Sequence, residues 1–349
     1  MNTDVKIDIR KLTIEQIKEM ITAMGEPSFR AKQIYEWLWQ KSAISISEMT
    51  NLPLSLRQKL EESYDINPIK TDKIQKSLDG TIKTRFVLHD GHKIEAVLIP
   101  VPDDKRFTVC VSTQVGCSLT CKFCATGQMK RVRNLDPSEI YDQYVLVNQQ
   151  CMNAYGHPLT NVVYMGMGEP LLAYSSTLES VHLLTSPAGL NISPKRITVS
   201  TAGIAKMINR LADEDVKFNL ALSLHAADDV KRNEIMPINE QNNLSVLMEA
   251  LNYFYKKTGN KISYEYIAFK NFNDSIEDAK NLVKLCKQFP VKVNIIEYNS
   301  IDGVEFVKAD EEKTNNFAKY LRSQDIMVTI RRSRGKDIDA ACGQLANKE

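Results

Sequence analysis

The 349-residue sequence contains no run of about 18 apolar residues, which argues against a membrane-spanning helix. Its first residues, "MNTDVKIDIRKLTIEQIKEM", alternate charge with apolar side chains and lack the h-region of a secretion signal. There is no internal repeat and no low-complexity tract. Net charge is only +2, so the bulk composition does not demand a polyanionic partner. The seven cysteines are odd in number and unevenly spaced, which argues against a secreted disulfide framework. With 43% hydrophobic residues there is enough for a proper core. These absences lead to the expectation of a soluble cytoplasmic protein with no membrane partner, built as one large domain with an appendage or as two ordinary domains.

Residues 1–70 read as helical. "TIEQIKEMITAMG" spaces its apolar residues for a helix and stops at Gly25. "SFRAKQIYEWLWQK", with Ser28 as its N-cap, and "LPLSLRQKLEESY" make two more, with Trp37 and Trp39 read as packing anchors. Residues 71–102 form a β linker whose "SLDGTIKTRFVLHDGHKIEAVLIP" carries turn signals between β-rich runs, a meander signature. Over 103–336, seven short runs ("FTVCVS", "NVVYMGM", "RITVST", "KFNLALSL", "ISYEYIAF", "VKVNIIEY" and "IMVTI") alternate with amphipathic stretches. That rhythm predicts βαβ units around a parallel sheet, an α/β fold best matched by a complete or partial barrel. In a barrel, functional side chains gather at the C-terminal ends of strands. Residues 337–349 are a short C-terminal segment.

The unusual absence is a ligand. Cys117, Cys121 and Cys124 form a C-x3-C-x2-C cluster, and the next histidine along the chain, His157, lies more than thirty residues on. A structural zinc site needs four ligands, and so does a ferredoxin-type cluster. Three thiolates instead suggest a [4Fe–4S] cluster with one iron open to a small chelating molecule. The alternative is a non-catalytic RNA-binding protein with a zinc site closed by Cys110 as fourth ligand. Cys151 and Cys286 fall inside helical patterns and read as small buried hydrophobes. Cys342, in "DIDAACGQL", lies on an Ala/Gly-rich segment beside a basic run, where it could be reactive.

"YMGMGEP" follows the second strand of the series, and its Glu169 can accept hydrogen bonds from an amino group. Ser200, Ser223, His225 and Asn299 sit at the ends of three further strands, positions that would line one site. Basic residues bunch at Lys122, Lys130, Arg131 and Arg133, and again at Arg331, Arg332, Arg334 and Lys336. On charge alone these are solvated surface; flanking an active-site face, they become candidates for phosphate contact. Glu95, on a linker strand, reads as an ordinary surface glutamate.

The cysteine spacing, with Phe123 before the last cysteine, is similar to that of the radical S-adenosylmethionine (SAM) superfamily. "CVSTQVGCSLTCKFCATG", "MGMGEPLL", "SLHA", "MPIN" and "DIDAACGQL" further resemble the RlmN/Cfr family of RNA methyltransferases. The resemblance implies a partial (β/α)6 barrel with a small N-terminal helical, helix-hairpin-helix-like domain that contacts RNA. It implies a [4Fe–4S] cluster on Cys117, Cys121 and Cys124, with SAM as the fourth ligand. SAM contacts carry over to Gly168, Glu169, Ser200, Ser223, Leu224, His225 and Asn299. Cys342 corresponds to the methyl-carrying cysteine, Cys110 to the cysteine that resolves a Cys342–RNA adduct through a disulfide, and Glu95 to the proton acceptor. The implied substrates are adenine-2503 of 23S rRNA and adenine-37 of some tRNAs, with two SAM consumed per turnover. The implied electron donor is a flavodoxin or ferredoxin. Pro170, where the Cfr branch has Ala, favours carbon 2 of adenine over carbon 8. One departure is Ala173, where the family more often has Asn.

Overall fold

The computed structural model describes residues 6–348. Ten strands form one sheet in strict sequence order. They are β1 (Lys70–Lys76), β2 (Ile82–Val87), β3 (Lys93–Val101), β4 (Arg106–Cys110), β5 (Asn161–Tyr164), β6 (Ile197–Thr201), β7 (Asn219–Ser223), β8 (Ile262–Ala268), β9 (Val291–Glu297) and β10 (Met327–Arg331). From β4 onward all neighbours are parallel, so seven strands are joined by six helical crossovers. The sheet does not close, because β1 and β10 are its two edges. This is the partial barrel that the alternation of apolar runs implied, with all seven runs forming strands. The meander β1–β3 pairs antiparallel with β4, so residues 71–102 extend the barrel sheet. Its turns fall where Gly80 and Gly91 take φ of 86° and 81°.

Ten helices surround this sheet or precede it. Three come first: α1 (Ile14–Ala23), α2 (Phe29–Trp39) and α3 (Leu54–Ser63). The crossover helices are α4 (Pro137–Tyr155), α5 (Tyr174–Thr185), α6 (Ala205–Asp213), α7 (Asp229–Ile235), α8 (Leu244–Thr258), α9 (Ile276–Cys286) and α10 (Glu311–Ser323). Sequence periodicity did not reveal α5 or α7. The α5 run "YSSTLESVHLLT" opens on small polar residues, and α7 has only seven residues, fewer than two full heptads. Ser28 occupies the N-cap of α2 but its side chain makes no capping bond, because its backbone is already helical. Ala173 is the N-cap of α5 and has no side chain to cap with. The asparagine common there in the family is a good capping residue, so the departure removes a local cap worth roughly 1 kcal/mol.

Strands β6–β9 are buried on both faces, as helices packed on a parallel sheet require. One continuous apolar core runs from Ile9, Ile17 and Trp39 through the barrel to Leu345. The N-terminal helices are therefore docked against the barrel. Trp39 packs edge-on against Tyr141 of α4, with ring centroids 5.1 Å apart. Beside it the buried Arg10 guanidinium bridges Asp8 at 3.1 Å and Asp142 of α4 at 2.9 Å, and donates to the Asn67 carbonyl at 2.6 Å. A buried ion pair of this kind is costly to break from one side, because the partner charge stays behind.

Arg10→Ala should destabilise the protein by about 3–5 kcal/mol by stranding the two carboxylates. Urea unfolding measures that cost. Limited proteolysis, in turn, should release residues up to about Asn67 from the variant before the barrel is cut.

Candidate active site

A cavity of about 140 Å³ opens at the C-terminal ends of the parallel strands. Cys117, Cys121 and Cys124 line it, on the loop that leaves β4. Gly168, Glu169, Ser200, Ser223 and His225 line it from the ends of β5, β6 and β7, and Cys342 lines it from the C-terminal segment. Residues scattered over more than 220 positions thus share one wall. Asn299 borders the cavity through the segment that carries Cys342, its Nδ2 donating to the Cys342 carbonyl at 3.4 Å. Leu224 is different: its side chain is fully buried in the main core, away from the cavity wall.

The "GMGE" turn is shaped by the chain beside it. A Cβ on Gly166 would lie 2.7 Å from Ser112 Oγ and the Val111 carbonyl. Gly168 has φ 98°, and a Cβ there would lie 2.5 Å from the Gln114 side chain. Both glycines let the turn after β5 lie directly on the loop after β4. Gln114 Oε1 then accepts the Glu169 N–H at 2.9 Å and sets the glutamate in place. The Glu169 carboxylate is buried and accepts from the Leu171 and Ala202 N–H groups at 3.0 and 2.7 Å. Burial pushes its carboxyl up to about 7, against the pull of those hydrogen bonds.

His225 is held with φ 54°, in the left-handed region. Asn273, fully buried, fixes it there by donating to the His225 carbonyl at 2.6 Å and to the Ile267 carbonyl at 2.8 Å. The ring's Nδ1 accepts the Ile267 N–H at 3.1 Å, so the neutral ring carries its proton on Nε2. Burial, with Arg232 nearby, pushes the His225 pKa down to about 3. Phe123, between the second and third cluster cysteines, packs edge-on against this ring at 4.7 Å.

Arg232 escaped the sequence reading. It is fully buried on α7, and all its hydrogen bonds go to neutral oxygens: the Leu224, Ala202 and Ser223 carbonyls at 3.1, 2.6 and 3.2 Å, and Asn239 Oδ1 at 2.6 Å. No carboxylate binds it directly, yet a buried cation requires compensation. Asp229 nearby favours the charge, and so would Cys121 as a thiolate. The motif "MPIN" also finds its place here, because Asn239 is the side-chain acceptor for Arg232. A basic residue in a polar stretch carries no mark of this burial. Glu265 was also missed. It lines the cavity, and its Oε1 accepts from Asn294 and Ser263 at 2.7 and 2.8 Å. Its Oε2 makes no hydrogen bond, with Arg331 Nη1 3.6 Å away. The signal was a charged residue inside an apolar strand.

Burial raises the pKa of all three loop thiols, Cys117 to about 11, and at Cys117 and Cys121 the neighbouring cysteines raise it further. Three thiols sharing one cavity beside a guanidinium that hydrogen-bonds only neutral oxygens suit an anionic iron–sulfur group. Among the described residues no His, Cys, Asp or Glu trio is gathered tightly enough for a single metal ion.

Cys110, buried at the end of β4, is not drawn to this trio. Burial raises its thiol pKa well above the ordinary range, and Cys342 adds to that shift. Cys342 is exposed to the cavity but crowded by protein on its other sides, and this raises its pKa while Arg331 opposes the shift. Glu95 is not a surface glutamate. It is 1% exposed, pairs with the buried Lys83 at 3.4 Å, and its Oε2 accepts the Ala346 and Asn347 N–H groups at 3.0 and 3.2 Å. The Cys342 segment is pinned again by Ala125 N–H to the Gly343 carbonyl at 2.7 Å and Thr126 Oγ1 to the Leu345 carbonyl at 2.6 Å. Cys151 and Cys286 are buried within α4 and α9, as their patterns suggested.

Residues 111–284 match the model of the radical SAM superfamily, and residues 7–66 match the ribosomal RNA large subunit methyltransferase N-terminal domain. A probable dual-specificity RNA methyltransferase RlmN of Cytophaga hutchinsonii is 57% identical, over 98% of this chain and 93% of its own length. A dual-specificity RNA methyltransferase RlmN of Nautilia profundicola is 42% identical, over 97% of this chain and 99% of its own. The chain belongs to the RlmN family. The fold agrees: a radical SAM methyltransferase from Sphaerobacter thermophilus superposes with a TM-score of 0.91 at 39% identity, covering 98% of this chain and 100% of that one. RlmN membership brings the chain into the radical SAM superfamily, which implies a [4Fe–4S] cluster and SAM. No helix among the described residues is long and apolar enough to cross a membrane.

His225 folds neutral and must become charged to unfold in acid, so its contribution to stability is complete above its unfolded pKa near 6.5. It is lost as pH falls toward about 3. His225→Asn keeps a left-handed backbone and an acceptor for Ile267. Below pH 6.5 the parent should lose about 1.4 kcal/mol per pH unit relative to that variant, read from urea unfolding at pH 5.0 and 6.0.

Proposed function

We propose that this protein methylates carbon 2 of adenine in RNA, at adenine-2503 of 23S rRNA and adenine-37 of some tRNAs, using Cys342 as the methyl carrier. The observation that carries the reading is Cys342, a thiol from outside the cysteine loop, standing in the wall of the cavity that Cys117, Cys121 and Cys124 line. A cluster-only enzyme has no use for that fourth thiol.

Cys117, Cys121 and Cys124 would hold the [4Fe–4S] cluster, with SAM as its remaining ligand. When bound, the cluster supplies the electron that cleaves SAM to a 5′-deoxyadenosyl radical. Gly168, Glu169, Ser200, Ser223, His225 and Asn299 hold SAM in the cavity. Cys342 first takes a methyl group from one SAM, its thiolate attacking the methyl carbon as S-adenosylhomocysteine leaves. The S-methyl group then gives up a hydrogen atom to the 5′-deoxyadenosyl radical, which leaves as 5′-deoxyadenosine, and the resulting methylene carbon bonds to carbon 2 of the adenine. The odd electron of the adduct would return to the oxidised cluster, and Glu95 accepts the carbon-2 proton. The Cys110 thiolate attacks the Cys342 sulfur, the carbon–sulfur bond breaks, the carbon takes up a proton, and a Cys110–Cys342 disulfide remains for a thiol reductant to open.

Two structural facts bear on this sequence. Burial keeps both resting thiols protonated, which slows the disulfide from forming before the adduct exists. Glu95 is engaged by two N–H groups of the segment that follows Cys342, so that segment shifts before the carboxylate receives the proton. A basic run near the C-terminus and the docked N-terminal helices supply the RNA-facing surface. Arg133, by contrast, is taken up by Glu139 at 2.7 Å and Asp90 at 2.6 Å and is withdrawn from phosphate contact.

Protein made with adequate iron and kept anaerobic should yield the tryptic peptide Asp337–Lys348 one CH2 heavier, with fragmentation placing the group on Cys342. An unmodified peptide after reconstitution with SAM would remove the methyl-carrier step. In Cys110→Ala the Cys342–RNA adduct should persist, visible as a protein band retarded on denaturing gels and restored by ribonuclease.

A further inference from the structure

At the C-terminal end of β9, Glu297 is more than nine-tenths buried and collects three cations. Its Oε1 accepts from Lys308 Nζ and Arg332 Nη1, both at 3.1 Å. Its Oε2 accepts from Lys336 Nζ at 2.7 Å and from the Ser333 N–H at 3.2 Å. Lys308 lies on the loop before α10, Arg332 and Lys336 lie on the stretch after β10, and the three side chains are 44%, 61% and 49% exposed. The carboxyl is held down at about 2 by hydrogen bonds from Lys336, Ser333 and Lys308 that outweigh its burial, so it stays charged throughout the working range. A second acid, Glu311, meets the other edge of Arg332, but it is 62% exposed.

The position is tied to the active site. Asn299 Nδ2 donates both to the Glu297 carbonyl, at 3.3 Å, and to the Cys342 carbonyl. Ile296, next in the strand, lines the cavity. The cations therefore gather at the end of a strand that also forms part of the cavity wall, one residue pair from the segment that carries Cys342.

A long, flexible lysine or arginine ordinarily loses side-chain freedom when it grips a phosphate. Here one buried carboxylate has already ordered three of them. Each ammonium uses one of its three N–H donors on Glu297, and the guanidinium keeps donors on its free edges. We propose that Lys308, Arg332 and Lys336, organised by Glu297, form a clamp for backbone phosphates of the RNA beside the target adenine. The clamp rests on the RNA-methyltransferase reading and assigns a surface to that substrate. Glu297 is its positioning residue, and Glu311 is a competitor that RNA displaces from Arg332.

This separates two acids that touch the same arginine. A diffuse basic patch predicts that removing either acid tightens RNA binding. A clamp ordered by Glu297 predicts opposite signs. The test titrates reconstituted holoenzyme with a transcript of the 23S rRNA hairpin bearing the target adenine, from 50 to 300 mM KCl. Glu311→Gln should bind about threefold more tightly, and Glu297→Gln five- to tenfold more weakly despite losing a negative charge. Lys308→Gln and Lys336→Gln, surface changes that the fold tolerates, should each lower the slope of log affinity against log salt by about 0.7. Dithionite-driven SAM cleavage without RNA should stay at the parent rate in all four. Tighter binding by Glu297→Gln, or unchanged salt slopes in both lysine variants, overturns the clamp. If the parent binds and methylates the transcript in that case, the clamp alone fails. If the parent neither binds RNA nor cleaves SAM, the functional reading fails and the clamp with it.

Discussion

The site depends on one buried guanidinium. Arg232 reaches from a seven-residue helix to the carbonyls that end β6 and β7 and to Asn239 beyond. Strand ends are where a parallel sheet runs out of ladder partners, and their carbonyls would otherwise face a cavity without donors. A single side chain with five fixed donors ties them off and brings positive charge to the cysteine loop. Ser200, Ser223 and His225 then stand at defined depths around the cavity, and Glu169 is braced by the N–H of Ala202, whose carbonyl Arg232 holds.

A second constraint closes the cavity from outside. The segment bearing Cys342 has little regular structure of its own, and its position is borrowed. Glu95 and Arg85 of the meander hold its end, Thr126 and Ala125 of the cysteine loop hold its middle, Asn299 holds the Cys342 carbonyl, and the Ser300 carbonyl accepts from the Gln344 side chain. The meander is thus part of the active-site architecture, which is why an antiparallel extension belongs on a parallel barrel here. Burying Glu95 is tolerable because Lys83 and two backbone N–H groups answer its charge.

Much of this was legible along the chain. Seven apolar runs became seven strands because a strand buried on both faces reads as a continuous apolar segment. The cysteine trio, the GMGE turn and the strand-end polar residues share one face because the barrel puts every strand's C-terminal end on the same side. What stayed hidden was long-range. Nothing near Glu95 announces that a partner 251 residues away will bury it. Arg232 and Asn273 look like ordinary polar residues until the fold surrounds them. Gly166 and Gly168 admit Ser112 and Gln114, a packing need that only the neighbouring loop reveals. Helix α5 was missed because it begins without a capping side chain at Ala173.

The borrowed position of the Cys342 segment has a consequence for the making of the molecule. Its anchors at Glu95, Thr126 and Asn299 can all be in place while the segment itself is still being synthesised, so the wall it forms is among the last parts completed. Joining it to the meander closes a loop of about 250 residues, an entropic cost that grows only slowly with length but cannot be met early. Until then the cavity lacks the wall that Cys342 and Gly343 supply beside the three loop cysteines.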